Sequence, residues 1–178
     1  SAEAVEQTAR LLKNGRKTAM LLRGAALQGK GLEAAGRIQA KTGVRLLCDT
    51  FAPHAELGAG RVPVERIPYF AEQIVATLQG LEQIVLVGSK PPVSFFAYPG
   101  KPSWCAPESC QFSYLALPQE DGAAALAALA DALGASGLEP ARTPLSLPDL
   151  PSGALNAATA AQVIAHLTPE DAIVADES

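Results

Sequence analysis

Nowhere in the 178 residues is there a run approaching the roughly 18 to 20 apolar residues of a membrane-crossing helix, and the N-terminus is polar and amphipathic, without the apolar core of a signal peptide. A cytoplasmic chain with no membrane partner is expected. Basic residues are in deficit, 14 Lys and Arg against 18 Asp and Glu for a net charge of -4, so no patch could neutralise several phosphates and nucleic acid is excluded as a partner. Aromatics make up only 5%, whereas hydrophobic residues reach 48% with 15 Gly and 14 Pro. That composition suits helices packed closely on a sheet better than a sandwich of aromatic-rich strands, which places the chain in the α/β class. Only two histidines are present, His54 and His166, and neither has a Ser, Cys or carboxylate placed by sequence to build a triad. No catalytic residue is expected here. The three cysteines are an odd set, and Cys105 and Cys110 lie close enough for pairing or a shared metal but lack a second Cys-x-x-Cys or Cys-x-His partner. They read as free thiols, with no metal site.

The length suffices for one domain with a real core, because a chain of this size buries roughly 70% of its unfolded surface. Ala4, Val5, Thr8, Leu11 and Leu12 fall at helical spacing before Asn14-Gly15, and the apolar run Thr18 to Leu22 then reads as a strand closed by Gly24. A helix from about Lys30 to Lys41 and a strand from Val44 to Leu47 complete a βαβ crossover. Residues 51–68 are rich in Gly and Pro, too irregular for a regular element, and such long connections are functional or packed at an interface. Tyr69 to Leu78 predicts a helix with Phe70, Ile74, Val75 and Leu78 inward, followed by a strand at Ile84 to Val87. Pro-rich residues 89–109 carry Phe95, Phe96, Tyr98 and Trp104 as expected packing anchors, before a strand at Phe112 to Leu117 and an Ala- and Leu-rich helix at Gly122 to Leu133. Pro140, Pro144, Pro148 and Pro151 mark a linker; then Asn156 caps a helix over Ala157 to Leu167, and Ala172 to Ala175 predicts a last strand.

Two glycine patterns overlap after the first strand. Gly24 to Gly31 has the GxxxxGK spacing of a phosphate loop, but Gly31 stands where Ser or Thr would hold magnesium. Gly29-Lys30-Gly31-Leu32-Glu33-Ala34 matches GxGxxA, with Asp49 about the right distance on for a ribose; Gly29 comes five positions after Gly24, however, whereas a dinucleotide fingerprint closes its strand on the first glycine. One reading is therefore a self-sufficient nucleotide-binding protein using the Gly24 to Gly31 loop, and the other is a plain strand-to-helix turn. Glu120-Asp121-Gly122 is read as an acidic pair opening a helix.

Several segments together resemble the central domain of thiamine-diphosphate enzymes, the group containing acetolactate synthase, benzoylformate decarboxylase and oxalyl-CoA decarboxylase. They are Leu21-Leu22-Arg23-Gly24-Ala25-Ala26, Lys41-Thr42-Gly43-Val44-Arg45-Leu46-Leu47, Ile84-Val85-Leu86-Val87-Gly88 and the tail from Leu167 to Glu177, which is similar to the opening of the diphosphate-binding domain. The resemblance implies a Rossmann-like three-layer domain with a mostly parallel, six-stranded sheet over residues 1–137, a Pro-rich linker at 138–155, and the truncated start of the C-terminal diphosphate-binding domain at 156–178. It further implies a full-length parent that uses thiamine diphosphate and magnesium as a lyase or transferase. The parent's flanking domains would be this chain's partners, in a homodimer or homotetramer.

In this family the central domain binds FAD or ADP in some members, and the resemblance would put such a site at Gly24, Ala25, Ala26, Gly88, Ser89 and Lys90. The sequence departs from the FAD-binding members at two places. Ser89-Lys90-Pro91-Pro92-Val93 replaces an Arg-Phe-Asp-Asp-Arg type segment, and Leu115-Ala116-Leu117-Pro118-Gln119 replaces an acidic turn. A degenerate nucleotide site is the expectation, with no cofactor held by this chain alone.

Overall fold

The structure, a computed structural model, describes residues 1–175. Five parallel strands form one sheet in the order β3-β2-β1-β4-β5, from β1 (Thr18–Leu22), β2 (Arg45–Cys48), β3 (Glu65–Arg66), β4 (Gln83–Val87) and β5 (Gln111–Ala116). The α/β, mostly parallel arrangement matches the expectation, with five strands among the described residues where the family implies six. Helices α1 (Ala2–Leu11), α2 (Gly29–Thr42), α3 (Ala71–Leu78) and α4 (Gly122–Ala132) belong to the same compact unit, Ser1–Thr143.

Strand alternation sorts the core into two layers. Met20, Leu22, Leu46, Val85 and Val87 point to the side covered by α1, α2 and α4, where Leu32, Ile38, Leu126 and Leu129 pack. Ala19, Leu21, Leu47, Ile84 and Leu86 point to the other side, against Ile74 and Leu78 of α3 and against Cys105, Ala106 and Cys110 of the β4–β5 connection. The β4 strand is buried at every position, which is why, after Gln83, its sequence Ile84 to Val87 is an unbroken apolar run rather than an alternating one.

Local signals set the helix ends. The Ser1 hydroxyl accepts from Ala4 N–H at 3.2 Å to start α1, and the Asp121 carboxylate accepts from Ala124 N–H at 3.0 Å to start α4. The acidic pair of the sequence is thus a helix start, and Glu120 turns back to accept from Leu117 N–H at 2.7 Å. Gly43, left-handed at φ 72°, ends α2.

Four expectations need correction. The short β3 lies inside the stretch read as irregular, and two exposed polar residues give no periodicity from which to find it. Helix α3 begins at Ala71, with Ile74 and Leu78 buried but Phe70 and Val75 exposed at 60% and 40%. Phe95, Phe96, Tyr98 and Trp104 are not buried anchors, being 46–61% exposed. Residues 172–175 form no strand, since none of the described strands pairs with them and an isolated strand leaves its backbone groups unmet.

All three cysteines are free thiols and buried. Loss of hydration pushes each thiol up from its ordinary range, opposed at Cys48 by the Arg66 guanidinium and at Cys110 by Arg16.

The second unit, Pro144–Ser178, contains α5 (Ala157–Leu167). Asn156 and Thr159 form a reciprocal capping box at 3.0 and 2.8 Å, so the predicted cap is present. No residue of α5 is buried, and Ile164 and Leu167 are each 66% exposed. Helices of this length draw most of their stability from a packed face. Amides of α5 should therefore exchange at least about 100-fold faster than those of β4. Hydrogen exchange showing equal protection would contradict this. Residues 176–178, at the end of the family-like tail, lie outside the described residues.

Candidate functional site

Sheets with this strand order bind ligands where neighbouring strands send their connections to opposite sides, beyond the carboxyl ends of the strands. Here that point lies between β1 and β4. Leu22 pairs with Val87, Arg23 N–H donates to the Val87 carbonyl at 3.0 Å, and the two strands then turn away at Gly24 (φ 61°) and Gly88 (φ 69°). A β-carbon on Gly88 would stand 3.0 Å from the Arg23 carbonyl oxygen, so this backbone approach requires glycine as well as the left-handed turn. Of the six residues singled out in the sequence, Gly24 and Gly88 turn at the ends of these paired strands, and Ala25, Ala26, Ser89 and Lys90 follow them in the chain beside the crevice that such a switch point forms. Gly122 packs against Val87 and Ala26, since a β-carbon there would lie 3.3 Å from Val87 Cγ1 and 3.7 Å from Ala26 Cβ.

The polar groups that could serve a nucleotide at this crevice are already engaged by the chain itself. In dinucleotide folds an acid at the end of the second strand binds ribose hydroxyls. Asp49 occupies that place after β2. Its Oδ2 accepts from Arg23 Nη1 at 2.7 Å, while Ser89 Oγ donates to Oδ1 at 2.9 Å. Ser89 is fully buried and Asp49 retains 21% side-chain exposure, which leaves little of the carboxylate for a hydroxyl ligand.

The same holds at the start of α2, where the glycine patterns would place a phosphate. A helix N-terminus attracts anions through its unpaired N–H groups and the helix dipole. Gly29 N–H donates to Glu56 Oε1 at 2.9 Å, and Glu56 is itself fixed by its N–H to the Leu27 carbonyl at 3.0 Å and by Arg61 Nε, 3.4 Å from Oε2. A carboxylate of the chain takes the anion position. Between Gly24 and Gly29 the chain forms a single 3-10 turn, Gly24–Leu27, whose Ala25 carbonyl oxygen would sit 2.3 Å from a β-carbon on Gly31. Gly24 and Gly29 stand at positive φ, 61° and 41°, where the chain turns, and Gly31, the residue replacing the magnesium-binding Ser or Thr, is one whose packing tolerates no side chain.

Sequence reasoning found Asp49 and the two glycine turns but missed Glu56 and Arg23. Glu56 lies in the irregular 51–68 stretch, where nothing local marks it. Its only advance signal was the length of that connection. His54 stands exposed two residues earlier, and His166 Nδ1 lies 2.9 Å from the Pro148 carbonyl in the second unit. Among the described residues no three His, Cys, Asp or Glu side chains gather as a metal site would need, and no helix is long and apolar enough to cross a membrane.

Comparison with known proteins bears on what such a body is for. Over 175 residues, 98% of this chain, the sequence is 48% identical to a Mycobacterium tuberculosis H37Rv protein named "Putative acetolactate synthase large subunit IlvX". The chain spans a third of that protein's length. No family model matches the chain. The similarity runs through the crevice segments and the linker alike, since it leaves almost no part of this chain uncovered.

Proposed function

We propose that this chain is the central, non-catalytic domain of a thiamine-diphosphate-dependent enzyme of the acetolactate synthase type, a lyase or transferase acting on 2-keto acids. The observation that carries this reading is the near-complete match of the chain to one third of a protein named as an acetolactate synthase large subunit. The geometry supports it from the other direction. A doubly wound sheet whose nucleotide crevice is filled by Glu56 and by the Arg23–Asp49–Ser89 cluster suits architecture better than chemistry.

In such a parent, thiamine diphosphate supplies the carbanion-stabilising ring and magnesium anchors its diphosphate. The residues of this chain do not fit that group. Glu120 and Asp121, the one acidic pair beside a glycine that invites comparison, are spent on the Leu117 and Ala124 N–H groups. FAD and ADP fare no better, because Asp49 and the α2 N-terminus are both engaged. The parent's flanking domains would carry the active site, and its assembly into a cytoplasmic homodimer or homotetramer belongs to the same proposal.

Titrating ADP, FAD and thiamine diphosphate with magnesium into the 178-residue chain should give no binding tighter than about 1 mM, where the binding free energy is only about 4 kcal/mol. The parent protein should bind thiamine diphosphate with magnesium and consume pyruvate. Turnover of pyruvate by this chain alone would remove the assignment. A micromolar constant for ADP or FAD would instead favour a self-sufficient nucleotide-binding protein and show that the crevice opens.

A further inference from the structure

The stretch whose carboxylate stands at the start of α2 is itself held by a distant part of the chain. Residues 56–61 form no helix or strand, and no side chain among them is buried, so apolar packing secures the stretch only at its two ends, through Ala55 and Val62. Its order must come from polar contacts, because fixing a backbone costs entropy that something has to offset.

Two sets of contacts meet on this stretch. On one side Glu56 accepts from Gly29 N–H at 2.9 Å, donates its own N–H to the Leu27 carbonyl at 3.0 Å, and has Arg61 Nε 3.4 Å from its other carboxylate oxygen. On the other side lie residues 140–143. Gly60 N–H donates to the Thr143 carbonyl at 2.8 Å, and Thr143 N–H donates back to the Arg61 carbonyl at 2.9 Å. Arg142 spans the junction, because its Nη1 donates to the Gly60 carbonyl at 3.0 Å and to Glu33 Oε1 at 2.6 Å while Nη2 donates to Glu33 Oε2 at 3.0 Å. Pro140 is buried beside Val62, both of them in the space that a β-carbon on Gly36 would need.

The contacts close a ring. Gly29 and Glu33 are one helical turn apart on α2, and the path from Gly29 runs through Glu56 and Arg61 to Thr143, then through Arg142 back to Glu33. Contacts that share partners in this way lose their geometry together, which makes the stretch a small cooperative unit. We propose that residues 140–143 are a latch on a lid formed by residues 56–61, and that releasing the latch frees Glu56 from the start of α2. Pro144 follows the latch directly, so the segment leading into the second unit begins where the latch ends. The device lies wholly within Ser1–Thr143 and does not depend on which parent enzyme the chain serves.

Hydrogen exchange followed amide by amide in the 178-residue chain tests the coupling. In Arg142→Ala the amides of Gly29 and Glu56, whose acceptors are not Arg142, should exchange about tenfold faster, as expected when a paired charge-assisted contact is lost from one cooperative unit. Amides of β4 should keep their rates. Coupling is reciprocal, so Glu56→Ala should accelerate the Gly60 and Thr143 amides by a similar factor. Arg142→Lys, which keeps the charge but not the two-pronged geometry, should fall between Arg142→Ala and the parent sequence. Unchanged rates at Gly29 and Glu56 in Arg142→Ala would overturn the proposal, whether or not Gly60 and Thr143 accelerate, because the latch would then fray without the lid. Equal acceleration of the β4 amides would overturn it too, since the opening would be unfolding of the whole first unit.

Discussion

Replacing Gly31 by serine, the change that would complete the GxxxxGK[ST] pattern, should destabilise the first unit by about 3 kcal/mol or more instead of creating a magnesium site. Two effects oppose each other at this position. Gly31 lies in the first turn of α2, where exchanging glycine for serine gains a few tenths of a kcal/mol in helix propensity. Packing acts the other way. The added β-carbon would stand 2.3 Å from the Ala25 carbonyl oxygen and 3.0 Å from Ala123 Cβ, and the nearer contact is backbone that no rotamer change can relieve. Either α2 shifts by about 1 Å or the 3-10 turn unwinds, and overpacking costs of 1 to 3 kcal/mol arise from milder conflicts. With net stabilities of about 5 to 15 kcal/mol, the loss should lower the melting temperature by roughly 10 °C. Gly137→Ser is the control, because a β-carbon there meets nothing within 4 Å and should change the melting temperature little. A Gly31→Ser protein melting with the parent sequence would show that the turn against α2 is drawn wrongly.

That example shows why the fold was more legible than the site. The repeat of apolar runs, glycine stops and amphipathic helices gave the four longer strands and all five helices, because each rests on residues near one another in sequence. The parallel pairing followed from the crossover lengths. The switch-point residues were also within reach, since glycines at the ends of apolar runs mark where strands turn. What occupies that point was not. Glu56 reaches Gly29 from 27 residues away and Arg23 reaches Asp49 from 26, and neither spacing belongs to any local pattern. Gly36 is a similar case. It looks like a flaw in a helix, yet a β-carbon there would come within 2.6 Å of Pro140 Cβ and 2.7 Å of Val62 Cγ2. Helix α2 is glycine-bearing because residues 138–143 return to lie on it, held by Arg142 on Glu33 at 2.6 and 3.0 Å and by Thr143 N–H on the Arg61 carbonyl at 2.9 Å. The aromatics misled for a different physical reason. Hydrophobicity predicts that a ring will be covered, but a loop sequence does not say which of its rings the chain turns outward.

Asp49→Ala should cost about 2 to 3 kcal/mol, the second large effect expected at the crevice. The carboxylate accepts from two side chains whose environments differ. Arg23 keeps 43% of its side chain in solvent and recovers water when its partner leaves, so that pair contributes about 1 kcal/mol or less. Ser89 is fully buried, and with Asp49 gone its hydroxyl keeps only a long contact to the Lys90 carbonyl at 3.4 Å. Most of the loss should therefore come through Ser89, as a buried hydroxyl deprived of a charged acceptor. The two contributions separate experimentally. Arg23→Ala should be mild, Ser89→Ala intermediate because it removes donor and unmet need together, and Asp49→Ala in a Ser89→Ala background should cost at least about 1 kcal/mol less than in the parent sequence. Asp49→Asn should fall between, since its carbonyl oxygen can still accept from Ser89 without the charge. Denaturant titration of the four variants and the double variant measures all of these. Additive losses for Asp49 and Ser89 would show that the two side chains do not depend on each other, and an Asp49→Ala cost below about 0.5 kcal/mol would show that the crevice is held shut by its backbone turns alone.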